Sequence, residues 1–232
     1  MLGLVEMSEK FYGFGRWDAP YWFIGPEQGM KDVGDGLDAR CRCWQRLGSQ
    51  ELADCIAYHR CLGYTLYHQP PFCLQPTWKR LILLLLVLKG EVPHKAAIRA
   101  YQATKWGTTA RDGETCVIDL SALAAPNLSV PRDRRAFREH RISVLRERIS
   151  QNKPKAVVMY GIRNKPDFMQ IAGGPFDEQG IGQLGSTVVM HTPAPIAFGY
   201  TDEDWIMFGL QLRQLCAEVR NEENHMPFVA GE

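Results

Sequence analysis

Four short stretches of this chain are apolar almost without interruption, and each is closed by glycine, proline or an isolated polar residue. Tyr21, Trp22, Phe23 and Ile24 run into Gly25 and Pro26, and Cys116, Val117 and Ile118 lead to Asp119, with Pro126 and Asn127 beyond it. Ala156, Val157, Val158, Met159 and Tyr160 stop at Gly161, while Thr187, Val188, Val189 and Met190 stop at His191, Thr192 and Pro193. Aromatic and β-branched content bounded by turn residues predicts strands. A strand with no polar alternate has no face to give to water, so these belong in a sheet covered on both sides. Helix candidates fall between them: residues 49–61 with Ser49 as cap, 77–89 behind Pro76, 93–104, 134–151, and a last helix from Asp202 to about residue 220. In the fourth of these, Phe137, Ile142, Leu145 and Ile149 are spaced to share a side. Strands alternating with helices predict a three-layer α/β/α fold around a central, mostly parallel four-stranded sheet. Ligands of such sheets bind beyond the carboxyl ends of the strands, so the segments closing the strands are expected to meet at one edge.

The rest of the composition narrows the possibilities. With 232 residues, 45% apolar and 23% charged, the chain is globular and large enough to bury roughly 70% of its unfolded surface, and one domain over 1–232 is expected, with residues 222–232 as a flexible tail. Lysine and arginine number 27 against 26 acidic residues, so a net charge of +1 gives no global pull toward nucleic acid or membrane. The longest apolar run, residues 81–88, is too short to span a bilayer and reads as a buried helix. No signal-peptide pattern opens the chain, and the seven cysteines include no C-x-x-C pair, which together predict a cytoplasmic protein without metal or cofactor.

Three of the closing segments carry chemistry. Residues 25–29 set Glu27 between two glycines, where a carboxylate can hold a water or stabilise a cation; a connection of this kind also carries glycine and glutamate for purely local reasons. Asp119 ends an apolar strand, where a partly desolvated carboxylate needs a donor from a ligand or from its own turn. His191 is followed by Pro193 and Pro195, which stiffen the loop around a residue able to donate to developing negative charge, although a lone histidine is also commonly structural.

Together these three segments, in this order and at this spacing, resemble the motifs of the uracil-DNA glycosylase superfamily over roughly residues 20–215. The resemblance implies that Glu27 positions the hydrolytic water. Where the family carries a proline after the acidic position, Gln28 stands here, and proline precedes as Pro26. It further implies that His191 donates to the leaving base and that Asp119 reads the base edge in the place commonly held by asparagine. An ionised carboxylate accepts only, which suits the cytosine amine and repels the O4 of uracil. Gly29 takes the position at which classical uracil enzymes carry a tyrosine against C5 substituents, so a bulky C5 group is admitted. The implied substrate is a flipped-out cytosine with a hydroxymethyl or glucosyl group at C5, as in phage DNA, excised to leave an abasic site. Trp44 or Phe72 is expected to stack on the base, Gln28 to line it, and Pro193, Pro195, Ile196 and Phe198 to enter the minor groove. Asn127, Arg134 and Arg138 are expected to contact phosphates. The last two lie in the most basic stretch, residues 132–148, where seven arginines face Asp133, Glu139 and Glu147.

The expected partner is DNA, bound by a monomer, with no membrane. Rival readings are a uracil or deaminated-base repair glycosylase, a non-catalytic module binding modified DNA, an iron-sulfur protein using the cysteines of residues 41–73, and an unrelated nucleotide-binding α/β protein. No P-loop and no nucleophile elbow is present.

Overall fold

The computed structural model describes residues 2–29, 35–125 and 137–225. In chain order the elements are α1 (Leu2–Lys10), β1 (Gly13–Gly15), β2 (Tyr21–Gly29), α2 (Asp35–Arg46), β3 (Leu52–Ala53), α3 (Cys55–Cys61), α4 (Pro76–Lys89), α5 (Lys95–Thr104), β4 (Thr115–Ala125), α6 (Arg138–Asn152), β5 (Ala156–Tyr160), α7 (Lys165–Ala172), β6 (Ile181–Leu184), β7 (Thr187–Thr192) and α8 (Asp202–His225). The fold is α/β. Its sheet is larger and more mixed than a parallel four-stranded one: among the described residues seven strands run in the order β3-β1-β4-β2-β5-β7-β6. β4, β2, β5 and β7 are mutually parallel, and antiparallel pairs β1/β4 and β6/β7 flank them. The added strands β1, β3 and β6 have two to four residues each, too short for a periodicity signal, and two of them contain glycine.

The uninterrupted apolar runs are explained by burial on both faces. Phe23, Val117, Val158, Val188 and Met190 pack into one core with α4, α5, α8 and the aromatic cluster of α2 and α3. Their strand neighbours Trp22, Ile24, Ile118, Val157, Met159 and Val189 pack into the other, with α6 and α7. All eight residues of the 81–88 run are buried in α4, which Gln75 caps by accepting from the Trp78 N–H at 2.7 Å. α8 lies so close to α4 that a side-chain carbon at Gly209 would stand 2.7 Å from the Leu84 carbonyl oxygen. Ser49 is not a helix cap. It has a left-handed φ of 52°, and the helix after it starts only at Cys55, where the Asp54 carboxylate accepts from the Ala57 N–H.

The two strands that carry the acids are also longer than their apolar runs. β2 continues through residues 25–29, pairing Gly25 with Asp119, Glu27 with Ser121 and, after a bulge, Gly29 with Ala125. Pro26 is tolerated because it lies past the last β2/β5 pair, Ile24 with Met159, so no ladder bond on that side requires its missing N–H. What reads as a loop after β2 is strand, and Asp119 stands within β4 rather than at its end.

Candidate active site at the carboxyl edge of the sheet

Side chains of a strand alternate between faces, and the register fixes which acids meet. Gly25, Glu27, Asp119 and Ser121 share the face of Phe23 and Val117. With strands about 4.8 Å apart and a two-residue offset, the Cα atoms of Glu27 and Asp119 are about 8 Å apart. Two acids therefore stand side by side on neighbouring parallel strands.

Asp119 is buried, and its surroundings are polar on several sides. Burial pushes its carboxyl up to about 7, opposed by the Gln28 amide and the guanidinium groups of Arg141 and Arg40, and reinforced by the charge of Glu27. The Gln28 amide oxygen accepts from Arg40, so its Nε2 is the atom facing Asp119, and that Nε2 closes no full hydrogen bond. Arg40 also donates to the Gly29 carbonyl at 3.3 Å, which pins the bulged end of β2 to α2. Above Gly25 lies the hydroxyl of Tyr160, 2.2 Å from where a side-chain carbon on Gly25 would stand; glycine is required there to admit the phenol. Burial, and secondarily the charge of Asp119, holds that phenol far above its ordinary range. The cluster thus offers one carboxyl group raised to about 7, the Gln28 amide facing it and the Tyr160 phenol above Gly25. Arg40 and Tyr160 were not singled out in the sequence. Tyr160 follows the same rule that marks Asp119, a polar group closing an apolar run, whereas Arg40 sits in a helix whose glycine and charges hide it.

His191 is not part of this cluster. It stands beside Met159 in the ladder and takes the opposite face, stacking on Phe176 at 5.3 Å and lying 5.8 Å from Phe168. Its Nε2 lies 3.5 Å from the Gly161 carbonyl. Burial lowers its pKa and that carbonyl partly restores it. The physical reason is parity: Met190 and Thr192 turn to the Asp119 face, so the residue between them cannot. The expected meeting of Glu27, Asp119 and His191 in one pocket is corrected accordingly; only the two acids share a face.

Other expectations also change. Trp44 is fully buried, donates from its indole N–H to the Gln50 carbonyl at 2.8 Å and packs on Phe11, so it is a core residue and not a stacking platform. Phe72 is exposed, on an irregular stretch before α4. Arg138 is committed to Asp167 at 2.6 Å. Arg148 pairs with Glu51 at 2.9 Å and lies over Trp17. Arg141 is buried under Tyr12 and donates to the carbonyls of Ser8, Phe11, Asp119 and Leu120. Among the described residues, Arg138, Arg141 and Arg148 are therefore each tied to partners within the chain, while Asn127 and Arg134 lie outside the described residues. Pro195 is buried and Pro193 half-buried, Arg80 donates to the carbonyls of Pro195 and Tyr200, and Ile196 is 67% exposed with Phe198 fully exposed.

Two features of the cysteines were not anticipated. Cys43 and Cys61 form a disulfide between α2 and α3. Cys55, His59 and His68 bring their sulfur and ring nitrogens within 4.8 Å of one another. The signal available was Cys55 and His59 four residues apart, which is one face of a helix. Among the described residues, no helix is long and apolar enough to cross a membrane. Compared with protein-family models and with curated proteins, the chain matches none.

Proposed function

We propose that this chain is a DNA N-glycosylase that binds a flipped-out pyrimidine at the carboxyl edge of β2 and β4, with a C5-modified cytosine as the preferred base. The observation that carries this reading is the pair of acids on one face, Glu27 at the bulged end of β2 and Asp119 beside it on β4. The strapped loop with Ile196 and Phe198 pointing into solvent supports it, since apolar tips on a braced loop suit insertion into a base stack. In this scheme Glu27 orients a water toward the anomeric carbon and its charge favours the oxocarbenium-like sugar. The C–N glycosidic bond breaks with its electron pair going to the base, a C–O bond forms to the water, and Glu27 takes the water's proton. Asp119 reads the base. As a carboxylate it accepts from the exocyclic amine of cytosine; as the neutral acid it can accept from that amine and donate to N3 as well. The donor to the leaving base is drawn from the groups around Asp119, where the Tyr160 hydroxyl and the Gln28 amide that faces Asp119 are the candidates.

A second reading has its own support. With His191 packed against Phe176 on the far face, a module that binds modified DNA without cleaving it fits the same cluster. Duplex and single-stranded DNA carrying cytosine, hydroxymethylcytosine, glucosylated hydroxymethylcytosine or uracil separates the two. Alkali-labile abasic sites on the modified cytosines are expected. Binding without strand breaks establishes the module, and release of uracil alone overturns the cytosine assignment.

A further inference from the structure

We propose that Cys55, His59 and His68 form a site for a single divalent transition ion of the zinc class, with three protein ligands and the fourth position left to water. A tetrahedral zinc ion with bonds of about 2.3 Å to sulfur and 2.05 Å to nitrogen sets sulfur and nitrogen about 3.5 Å apart and two nitrogens about 3.3 Å apart. Cys55 Sγ lies 3.4 Å from His59 Nδ1, and His59 Nδ1 lies 3.1 Å from His68 Nε2. These match two edges of such a tetrahedron, with Cys55 and His59 buried and His68 half-buried. One sulfur and two imidazole nitrogens are donors that this ion prefers over calcium or magnesium.

The surroundings fit a ligand set rather than a chance contact. Cys61, on the same helix, is occupied by its disulfide with Cys43, which leaves Cys55 as the free thiol of α3. The far side of the His68 ring faces the backbone carbonyls of Gln102 and Ala103, and its buried Nδ1 makes no complete hydrogen bond. Carbonyls stand there where a metal-ligating histidine finds the partner for its second ring nitrogen. Phe14, Tyr64, Tyr67 and Trp78 ring His59 and shield the site. Cys55 is held by its N–H on the Gly107 carbonyl at 3.0 Å, in the turn after α5, whereas His68 belongs to residues 62–75, which carry one short helical turn and no strand. An ion here clips that irregular stretch onto α3, on the face of the sheet that carries Asp119. Binding breaks the S–H bond of Cys55, forms an S–metal bond and releases the proton to solvent; no electron moves.

The test uses the full chain, stripped by a chelator and reloaded with Zn2+ or with Co2+ as a spectroscopic probe. Elemental analysis is expected to find one zinc per chain, and Co2+ to give a thiolate charge-transfer band with the intense visible bands of tetrahedral geometry. Cys55→Ser and His68→Asn should each weaken Zn2+ binding by at least about tenfold, with Cys73→Ser, at an exposed thiol outside the cluster, unchanged. Zinc should also raise the melting temperature of the parent chain and of Cys73→Ser but not of the ligand variants. If Cys55→Ser does not fold, the half-buried His68 carries the test alone. An octahedral cobalt spectrum without a thiolate band, zinc held equally by all variants, or several irons with sulfide per chain overturns the proposal. None of these outcomes depends on glycosylase activity.

Discussion

Replacing Asp119 by asparagine probes the site at its most unusual group. Burial raises the Asp119 carboxyl to about 7, from 3.8 in an exposed chain. The folded value is the higher one, so between pH 4 and pH 7 the unfolded chain has given up a proton that the native protein still holds. Stability contributed by this residue is therefore present at acid pH and lost as pH rises toward and through 7. A gap of about three units at about 1.4 kcal/mol each sets an upper scale of about 4 kcal/mol by pH 8. Asparagine keeps the shape and carries no charge to desolvate. Asp119→Asn should match the parent near pH 4 and exceed it by a few kcal/mol at pH 8. Urea unfolding of both proteins from pH 4 to 8 reads this as a widening difference in midpoint, in which titrating groups not coupled to Asp119 cancel. A difference that stays constant across that range, or a variant less stable than the parent at pH 8, would refute the reasoning. The same titration predicts base choice: uracil-type ligands, which need a donor for O4, should be bound relatively better below pH 7 and lose ground above it, while cytosine-type ligands are accepted by both forms.

Further outcomes follow from the surrounding structure. Ile196→Ser together with Phe198→Ser should shift stability by no more than about 0.5 kcal/mol, because both side chains are exposed, yet weaken duplex binding; unchanged affinity in a gel-shift assay counts against the wedge. Arg141→Lys should destabilise by about 3 kcal/mol or more, since one ammonium cannot replace a fork that serves four backbone carbonyls; denaturant unfolding at pH 7 measures it, and a loss under about 1 kcal/mol refutes the wiring role. His191→Asn should change base-release rates by less than about tenfold, because the ring faces Phe176 and not Asp119; a loss near 3 kcal/mol of barrier, the scale of a missing oxyanion donor, would return His191 to the reaction.

The parallel centre of the sheet was legible because burial on both faces writes itself as an unbroken apolar run, visible at Val157 and Val158 as clearly as at Trp22 and Phe23. The helix at residues 76–89 was legible for a related reason, a proline at its first turn followed by eight buried aliphatic residues. Strands of two to four residues such as β1 and β3 left no such trace. Nor did the extension of β2 through Gly25 and Pro26, where tertiary pairing with β4 overrides residues that locally favour a turn. The acids at 27 and 119 were recoverable from their position after apolar strands. The side on which His191 falls was not, because β7 is buried on both faces and its apolar run carries no alternation that tells one face from the other. The fate of the arginines was hidden likewise: composition cannot tell a guanidinium facing solvent from Arg141, which is spent on carbonyls inside the core.

The central claim is that Glu27 and Asp119 act on one bound nucleotide in different roles, and single-turnover base release with Glu27→Gln and Asp119→Asn across the same set of bases tests it most directly. Glu27→Gln is predicted to abolish release from every base while the fold and DNA affinity persist, and Asp119→Asn to retain release but move preference from cytosine-type toward uracil-type bases. Full activity in the first variant, or an unaltered ranking of bases in the second, would contradict it.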